Sequence, residues 1–553
     1  MPRITVPLGR GVELTDRACW VVLGAAMAVS ATLLLYMSRG TTFGIDELVW
    51  VFQSPGLGLT GVLEPYNGSL VATNRIVYKA ILETAGAEYI AFRLLWIGSV
   101  LLSAGLLYAL IKRWIGALPA LAPAIVLLFL GSAGEYFTSA IGFIALFAIS
   151  AGLAALLALE RDDTLGDIAA CALIVVSVAT FTIGLGFLAG VAISVMLRRD
   201  RASRAWIVLV PLALYAAWWL WALGEPGSSE GQAKLSNVLL VPNYAADSLA
   251  ASLAAVTGLS YDFLGSQQGT AIGWGYVLAA VALGALVIRF IRGGLPRSVW
   301  ITLGIVLTVW AAGTLVVGVF RPPDSARYLY MGAVGVVMVA AAAATSVRFT
   351  RAGLAILFGV AVVGVMTNIA QLRDRARDTR DGYSVRAETA FAMMELARDE
   401  VDPAYTPPLI EFDLTQIPLD AGSYLRAANE YGSEAIPIDG LEREDVTIRE
   451  HADSTLAGAL DLRLEPARAG APGPCRSEPD AGGFELAPGA ATIVARGRRT
   501  AKLSVGRFAD PSVELGRLKP GEPARLVIPT DSDPRPWLVA VKGANSVRVC
   551  ATR

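Results

Sequence analysis

The chain has 553 residues, of which 55% are hydrophobic and only 17% charged, and its mean hydropathy is +0.55. A soluble chain of this length carries nearer a quarter charged residues, so a soluble globular protein is excluded. The formal net charge of −1 offers no cationic excess for a nucleic-acid partner, and none is expected.

Apolar residues gather in blocks of about 17–25 with few charges, the length needed to cross roughly 30 Å of hydrocarbon. Eleven spans are expected, at 18–37, 89–111, 117–133, 138–159, 166–181, 183–198, 204–223, 273–291, 298–319, 328–346 and 352–371. The first is not followed by an A-x-A-like cleavage site and reads as a retained span. The fifth and sixth are short: residues 167–197 form either two helices turned at Thr180–Gly184 or one long tilted helix.

Loop cations set the orientation. Arg3, Arg10 and Arg17 precede the first span, Lys112 and Arg113 follow the second, and Arg161 the fourth. Arg198, Arg199, Arg201 and Arg204 follow the sixth, Arg289, Arg292 and Arg297 the eighth, and Arg348 and Arg351 the tenth. All fall on one side, the cytoplasmic one, if the fifth and sixth spans are separate; a single long helix would invert every later loop. The N-terminus is then cytoplasmic in a multi-pass plasma (inner) membrane protein. The outer side receives loops 38–88, 224–272 and 320–327 and the tail from 372.

The tail has two parts. Residues 372–480 read as mixed helix and loop, with a surface helix expected over 384–401, SVRAETAFAMMELARDEV, from its apolar spacing. Residues 481–553 hold short strand-like segments, TIVARG, AKLSVGRF, ARLVIP, WLVAVKG and SVRVC, divided by Gly, Pro and Asp, which argues for a small β-sandwich. Cys475 and Cys550 flank that segment, and an outer compartment permits disulfides, so they are expected to pair. Cys19 and Cys171 fall inside spans and read as core residues. Trp537 in WLVAV reads as strand core, with sugar stacking as the other role open to it. The expected architecture is a polytopic α-helical membrane domain, 1–371, followed by an extracytoplasmic α/β region that ends in a β-sandwich.

The outer side should be poor in cations, yet it holds Arg75 and Lys79 in the first loop, Arg93 one turn into the second span, and Arg321 and Arg327 around RPPDSARYLY. An ionisable residue within a span is unfavourable unless it is paired or lines a cavity. The planar guanidinium fork suits phosphate. The same side holds the acid pair Asp46-Glu47 in FGIDELVWVF, just past the first span, and Glu135 in GSAGEYFTSA. Acids and arginines together fit a site where a hydroxyl is deprotonated and a phosphate leaves. Several of them also have an ordinary reading: a helix cap paired with Arg75 or Lys79 for Asp46 and Glu47, loop residues for Arg75 and Lys79, a snorkelling side chain for Arg93, and interfacial aromatics for Tyr328 and Tyr330.

A first span followed at once by an outer loop with an acid pair resembles the GT-C superfamily of integral membrane glycosyltransferases. This group includes the protein O-mannosyltransferase-like, aminoarabinose transferase-like and actinobacterial arabinofuranosyltransferase enzymes. The long 38–88 loop, Arg93, Glu135 and RYLY opening a late span carry the resemblance over roughly residues 15–371. It implies a GT-C-like fold and transfer of a sugar on the outer face, from a polyprenyl-phosphate donor to a glycan, lipid or protein acceptor. Asp46 would be the base, with Glu47 beside it. Arg75, Lys79, Arg93, Glu135, Arg321, Arg327 and Tyr328 would bind substrate or phosphate. The chain departs from the pattern in having Asp-Glu where many relatives have Asp-Asp, and YNGSLVATNR lacks a His; the chain's one histidine is His451. No resident cofactor is called for, and a divalent cation would need oxygens from Asp46, Glu47 or Glu135. A transporter or flippase would instead show mid-membrane charges and two related halves; few such charges and no such halves are found. A catalytically silent envelope assembly protein of the same fold is the third reading.

Overall fold

The computed structural model describes residues 15–225, 234–260, 272–315, 322–409, 419–467, 474–478 and 483–551. The chain divides into two compact units. One comprises Met1–Thr41, Leu57–Ile81 and Ile90–Asp378, the other Thr42–Gly56, Leu82–Tyr89 and Thr379–Arg553.

The first unit is helical, and among the described residues an apolar helix lies at each expected span. The long helices are Asp16–Met37, Tyr89–Ile115, Gly142–Leu159, Trp206–Ala222, Gly273–Gly293, Arg297–Leu315, Ala326–Ala343 and Arg351–Arg377. Shorter apolar helices cover Ala117–Leu128, Thr164–Thr180 and Gly184–Met196. Between the last two, Phe181 turns to an extended backbone, so residues 167–197 are two helices. Ion pairs collect at one end of the bundle: Lys112 with Asp16 (3.0 Å), Arg113 with Glu160, and Arg198 with Asp162 (2.5 Å). Arg204 joins Asp162 (2.8 Å), Asp167 (3.2 Å) and Asp200 (2.9 Å) there. This end holds the start of Asp16–Met37 and the loops around Lys112–Arg113, Arg161 and Arg198–Arg204, which the cation count groups together.

The 224–272 segment is not simply a loop. It contains Val241–Thr257, a helix of 17 residues in which Ala250, Ala251, Ala254 and Ala255 are fully buried. Asn243, Asp247 and two serines, Ser248 and Ser252, lower its hydropathy and hid it from a reading based on apolar runs. Small residues let it approach its neighbours closely: a Cβ on Gly275 would lie 2.1 Å from the Ala250 carbonyl, and one on Gly332 2.1 Å from Ser252 Oγ. Its entrance is tied to Leu315, where Lys234 N–H donates to the Leu315 carbonyl (3.0 Å). Near its exit, Asn368 Nδ2 donates to the Ala255 carbonyl (2.9 Å). Gly275 begins one helix, Leu315 ends the next, Gly332 is early in the third and Asn368 late in the fourth. These helices alternate in direction, so the four places share one end of the bundle. Val241–Thr257 is also long and apolar enough to cross a membrane, and its Tyr244 packs with Val306 and Trp310.

In the second unit, Ile45–Gln53, Val385–Leu396, Ala421–Tyr431 and Val446–Ala459 pack together. The expected surface helix at 384–401 is instead a core helix. Ala387 and all of Thr389–Met394 are buried, a run of small and apolar residues long enough to cover every direction around the axis, while Arg386, Glu388 and Glu395 are half-buried. Phe391 stacks on Tyr424 with ring centroids 4.9 Å apart, and Phe52 meets both edge-on.

Among the described residues nine strands follow, β1 (Arg463–Pro466), β2 (Cys475–Glu478), β3 (Phe484–Leu486), β4 (Gly489–Arg496), β5 (Ala501–Gly506), β6 (Val513–Leu518), β7 (Pro523–Ile528), β8 (Trp537–Lys542) and β9 (Ser546–Ala551). They form two antiparallel sheets, in orders β1-β7-β4-β9-β2 and β3-β8-β5-β6. Cys475 and Cys550 lie directly opposite in the β2–β9 register and are disulfide-bonded. Cys19 and Cys171 are buried and unbonded. Trp537 is fully buried with the Arg507 guanidinium 4.6 Å over its ring, so it is core. Arg507 is itself paired with Asp531 at 2.8 Å, both side chains fully buried. Asp453 accepts from the backbone N–H groups of Arg507 (2.7 Å), Phe508 (2.9 Å) and Ala509 (3.0 Å).

Candidate functional site

The acid pair opens the helix Ile45–Gln53. Glu47, at its third position, is fully buried, and its Oε2 accepts from the Gly44 N–H at 2.8 Å; the Tyr89 hydroxyl lies 3.5 Å away. This is the returning half of a capping box. Asp46 is only half-buried, in a first turn where exposed N–H groups favour a carboxylate. The pair is therefore divided: one acid is fixed as a cap and the other keeps access to solvent. Tyr383 adjoins both. Its buried hydroxyl is pushed well above the ordinary tyrosine range, first by desolvation and then by the charges of Glu47 and Asp46. It stays protonated and able to donate. It lies in a π-helical turn, Asp378–Ser384, a local geometry often found at functional sites. Nothing in sequence spacing links residue 383 to 46 and 47.

In the first unit Glu135 opens the short helix Glu135–Thr138, and Arg327 is the second residue of Ala326–Ala343. They form a two-pronged ion pair, Nη2–Oε1 at 2.9 Å and Nε–Oε2 at 3.4 Å. The turn before Glu135 is fixed by Asn368, whose Oδ1 accepts from Ser132 N–H and Oγ–H, each at 2.9 Å. Gly134 packs against Arg375, whose Cγ would be 2.7 Å from any Cβ there. Arg375 was missed as a candidate, although QLRDRAR places several cations just past the last span on the side expected to lack them.

The remaining candidates are dispersed. Arg93 donates to the Thr41 carbonyl (2.9 Å). Arg75 is buried, donates to the Gly61 carbonyl and pairs with Glu64 at 3.5 Å, which ties it to its own loop; desolvation lowers its pKa. Lys79 is half-buried on Ala72–Ala85, and Tyr328 is half-buried beside Arg327, whereas Tyr330 is fully buried with its hydroxyl 2.5 Å from Ser103 Oγ. Arg321 lies outside the described residues. The first loop is docked by Asn74 Nδ2 donating to the Thr180 carbonyl (2.7 Å) and Trp218 Nε1 to the Leu63 carbonyl (2.8 Å). Among the described residues no group of three or more His, Cys, Asp or Glu is placed to hold a metal.

No family model and no curated protein matches the chain. Similar solved structures include two of one protein. The crystal structure of ArnT from Cupriavidus metallidurans bound to undecaprenyl phosphate is 14% identical with a TM-score of 0.44, covering 76% of this chain and 89% of that one. The same protein in the apo state gives the same identity and TM-score over 78% and 91%. At this identity and TM-score the likeness carries no substrate and no residue assignment.

Proposed function

We propose that the chain is a membrane glycosyltransferase that moves a sugar from a polyprenyl-phosphate donor to an acceptor hydroxyl on the outer face of the membrane. The observation that carries this reading is the divided acid pair. Glu47 is consumed by capping, while Asp46, one residue away on a rigid first turn, stays accessible beside a neutral tyrosine. A sugar hydroxyl is a poor nucleophile, and a positioned carboxylate that takes its proton contributes about 10²–10⁴-fold. Asp46 is the base, and Glu47 is the residue that holds its turn. Arg327, oriented by Glu135, is the first candidate for the leaving phosphate, since fixed cations stabilise charge that develops there; Arg375 and Arg93 come next. The donor class follows from the sequence resemblance.

The orientation follows from the loop cations. With Val241–Thr257 taken as lying at the outer end of the bundle, eleven crossings put the residues beyond the last helix outside.

A catalytically silent assembly protein is the second reading, favoured by Glu47 and Arg75 both being occupied by local backbone. Asp46→Asn and Glu47→Gln separate the two. If Asp46 is the base, Asp46→Asn lowers transfer by orders of magnitude with thermal stability unchanged, and Glu47→Gln lowers stability more than transfer. Near-normal transfer by Asp46→Asn would remove the base from the mechanism.

A further inference from the structure

We infer that one end of the β-sandwich is a binding surface for a linear anionic polysaccharide. The connections β4–β5, β6–β7 and β8–β9 all pass between the two sheets at this end. They are pinned together: Gly521 N–H donates to the Ala495 carbonyl (2.9 Å) and Asn545 N–H to the Arg496 carbonyl (2.7 Å). On the outer face of the second sheet, Lys542, Lys502 and Arg517 stand directly opposite one another on β8, β5 and β6, and all three are exposed. Like charges in direct register destabilise a sheet. Glu514 offsets part of this, 2.6 Å from Lys502 and 3.9 Å from Arg517. On the first sheet, exposed Arg548 and Arg496 are diagonal neighbours across β9 and β4, since Arg548 faces Val494 and Arg496 faces Ser546. The β4–β5 turn between the sheets adds exposed Arg498 and Arg499. Among the described residues Lys542, Arg498, Arg499 and Arg548 make no ion pair, and Lys519 beside them is matched by Glu522 at 3.5 Å.

So many uncompensated cations on one small surface stand out in a chain of net charge −1. Most are arginines, which bind carboxylate or phosphate oxygens through two parallel hydrogen bonds. The strands and turns at this end present no exposed large hydrophobic residue. That disfavours a protein partner, whose interface would have an apolar or aromatic centre, and a bilayer, where an interfacial anchor adds apolar side chains to its charge. A repeating row of cations on a rigid sheet matches a polymer with repeating anions. The inference rests on charge and exposure, and it stands whether or not the chain transfers sugar.

The test uses the full-length protein in uncharged detergent and measures binding of fluorescent polygalacturonate, with dextran of similar length as the neutral control. Polygalacturonate is expected to bind at least about tenfold tighter than dextran, with the difference shrinking as salt rises from about 50 to about 300 mM. The variant Arg498→Gln/Arg499→Gln/Lys542→Gln/Arg548→Gln is expected to lose about tenfold or more in affinity with an unchanged melting temperature. Arg443→Gln, a charge change on the helical part of the same unit, should leave binding as it was. Equal binding of the two polymers, or full affinity in the fourfold variant, overturns the inference. So does displacement of polygalacturonate by phosphatidylglycerol vesicles but not by unlabelled polygalacturonate, which would give the surface to the membrane.

Discussion

Asn368 is expected to be among the least replaceable polar residues of the helical unit. Its side chain is fully buried within Arg351–Arg377 and makes four hydrogen bonds: two accepted from Ser132, and two donated, to the Ala255 carbonyl (2.9 Å) and the Gly364 carbonyl (2.8 Å). In Asn368→Leu not every partner is stranded. The Gly364 carbonyl still accepts within its own helix, the Ala255 carbonyl keeps the Gly258 N–H at 3.2 Å, and the Ser132 hydroxyl can rotate. The Ser132 N–H is left without its acceptor, at about 1–3 kcal/mol for a buried donor. Three further bonds are lost at roughly 0.6 kcal/mol each, the scale measured between membrane helices. The expected loss is therefore about 3–5 kcal/mol. Equilibrium unfolding in mixed detergent–SDS micelles, followed by tryptophan fluorescence, measures it. Thr367→Val is the control, because Thr367 Oγ1 bonds only within its own helix, to Val363 and Gly364. A loss below about 1 kcal/mol for Asn368→Leu, or one equal to that of Thr367→Val, would show that this residue does not fasten the Gly131–Gly134 turn.

Asp453 has its pKa raised from the ordinary range near 4 to about 6, chiefly by burial and against the pull of three backbone N–H groups. Between those values the native state holds a proton that the unfolded chain has released. Stability therefore falls as pH rises from about 4 to about 6 and is flat above, by up to roughly 3 kcal/mol; thermal melts across this range should show the slope, and Asp453→Asn should abolish it. Reducing the Cys475–Cys550 bond opens a loop of 75 residues, worth roughly 4 kcal/mol in the chain-entropy model; replacing both cysteines by Ser should lower the melting temperature of the second unit, and an unchanged melt would count against that model here. Thr500→Cys, exposed in the β4–β5 turn, should be labelled in intact cells by an impermeant thiol reagent; labelling only after lysis would reverse the orientation.

Much of this was legible in the sequence where a pattern is local. Apolar runs located eleven helices because each run is its own signal, and the cations at their ends agreed with the ion-pair belt now seen at one end of the bundle. The disulfide and the buried strand around Trp537 were readable for the same reason. Val241–Thr257 was not, since its fitness for the bundle lies in small residues matched to glycines on other helices, and hydropathy does not register that match. Val385–Leu396 was misplaced at the surface because apolar spacing identifies a face only when another face is polar. At the candidate site, the acids and Arg327 were visible by residue type and expected side. A helix cap was open to the acid pair from the sequence, and Glu47 takes it while Asp46 does not; Tyr383 against the acid pair, Glu135 clasping Arg327 and Arg375 on Gly134 depend instead on residues brought together from distant parts of the chain. One such signal was present and unused. Asn67-Gly68, both at positive φ in the tight turn that closes Tyr66 on Ser69, is a recognisable hairpin-type turn in the first loop.

The central claim is turnover of a lipid-linked sugar, and the most direct test is to supply one. Purified wild-type protein in defined bilayers, incubated with a panel of polyprenyl-phosphate sugars and hydroxyl-bearing glycan acceptors, should release free polyprenyl phosphate from at least one donor. Mass spectrometry should find the matching sugar added to the acceptor in equal amount. Folded protein that leaves every donor intact, or that hydrolyses a donor without extending any acceptor, would contradict the account.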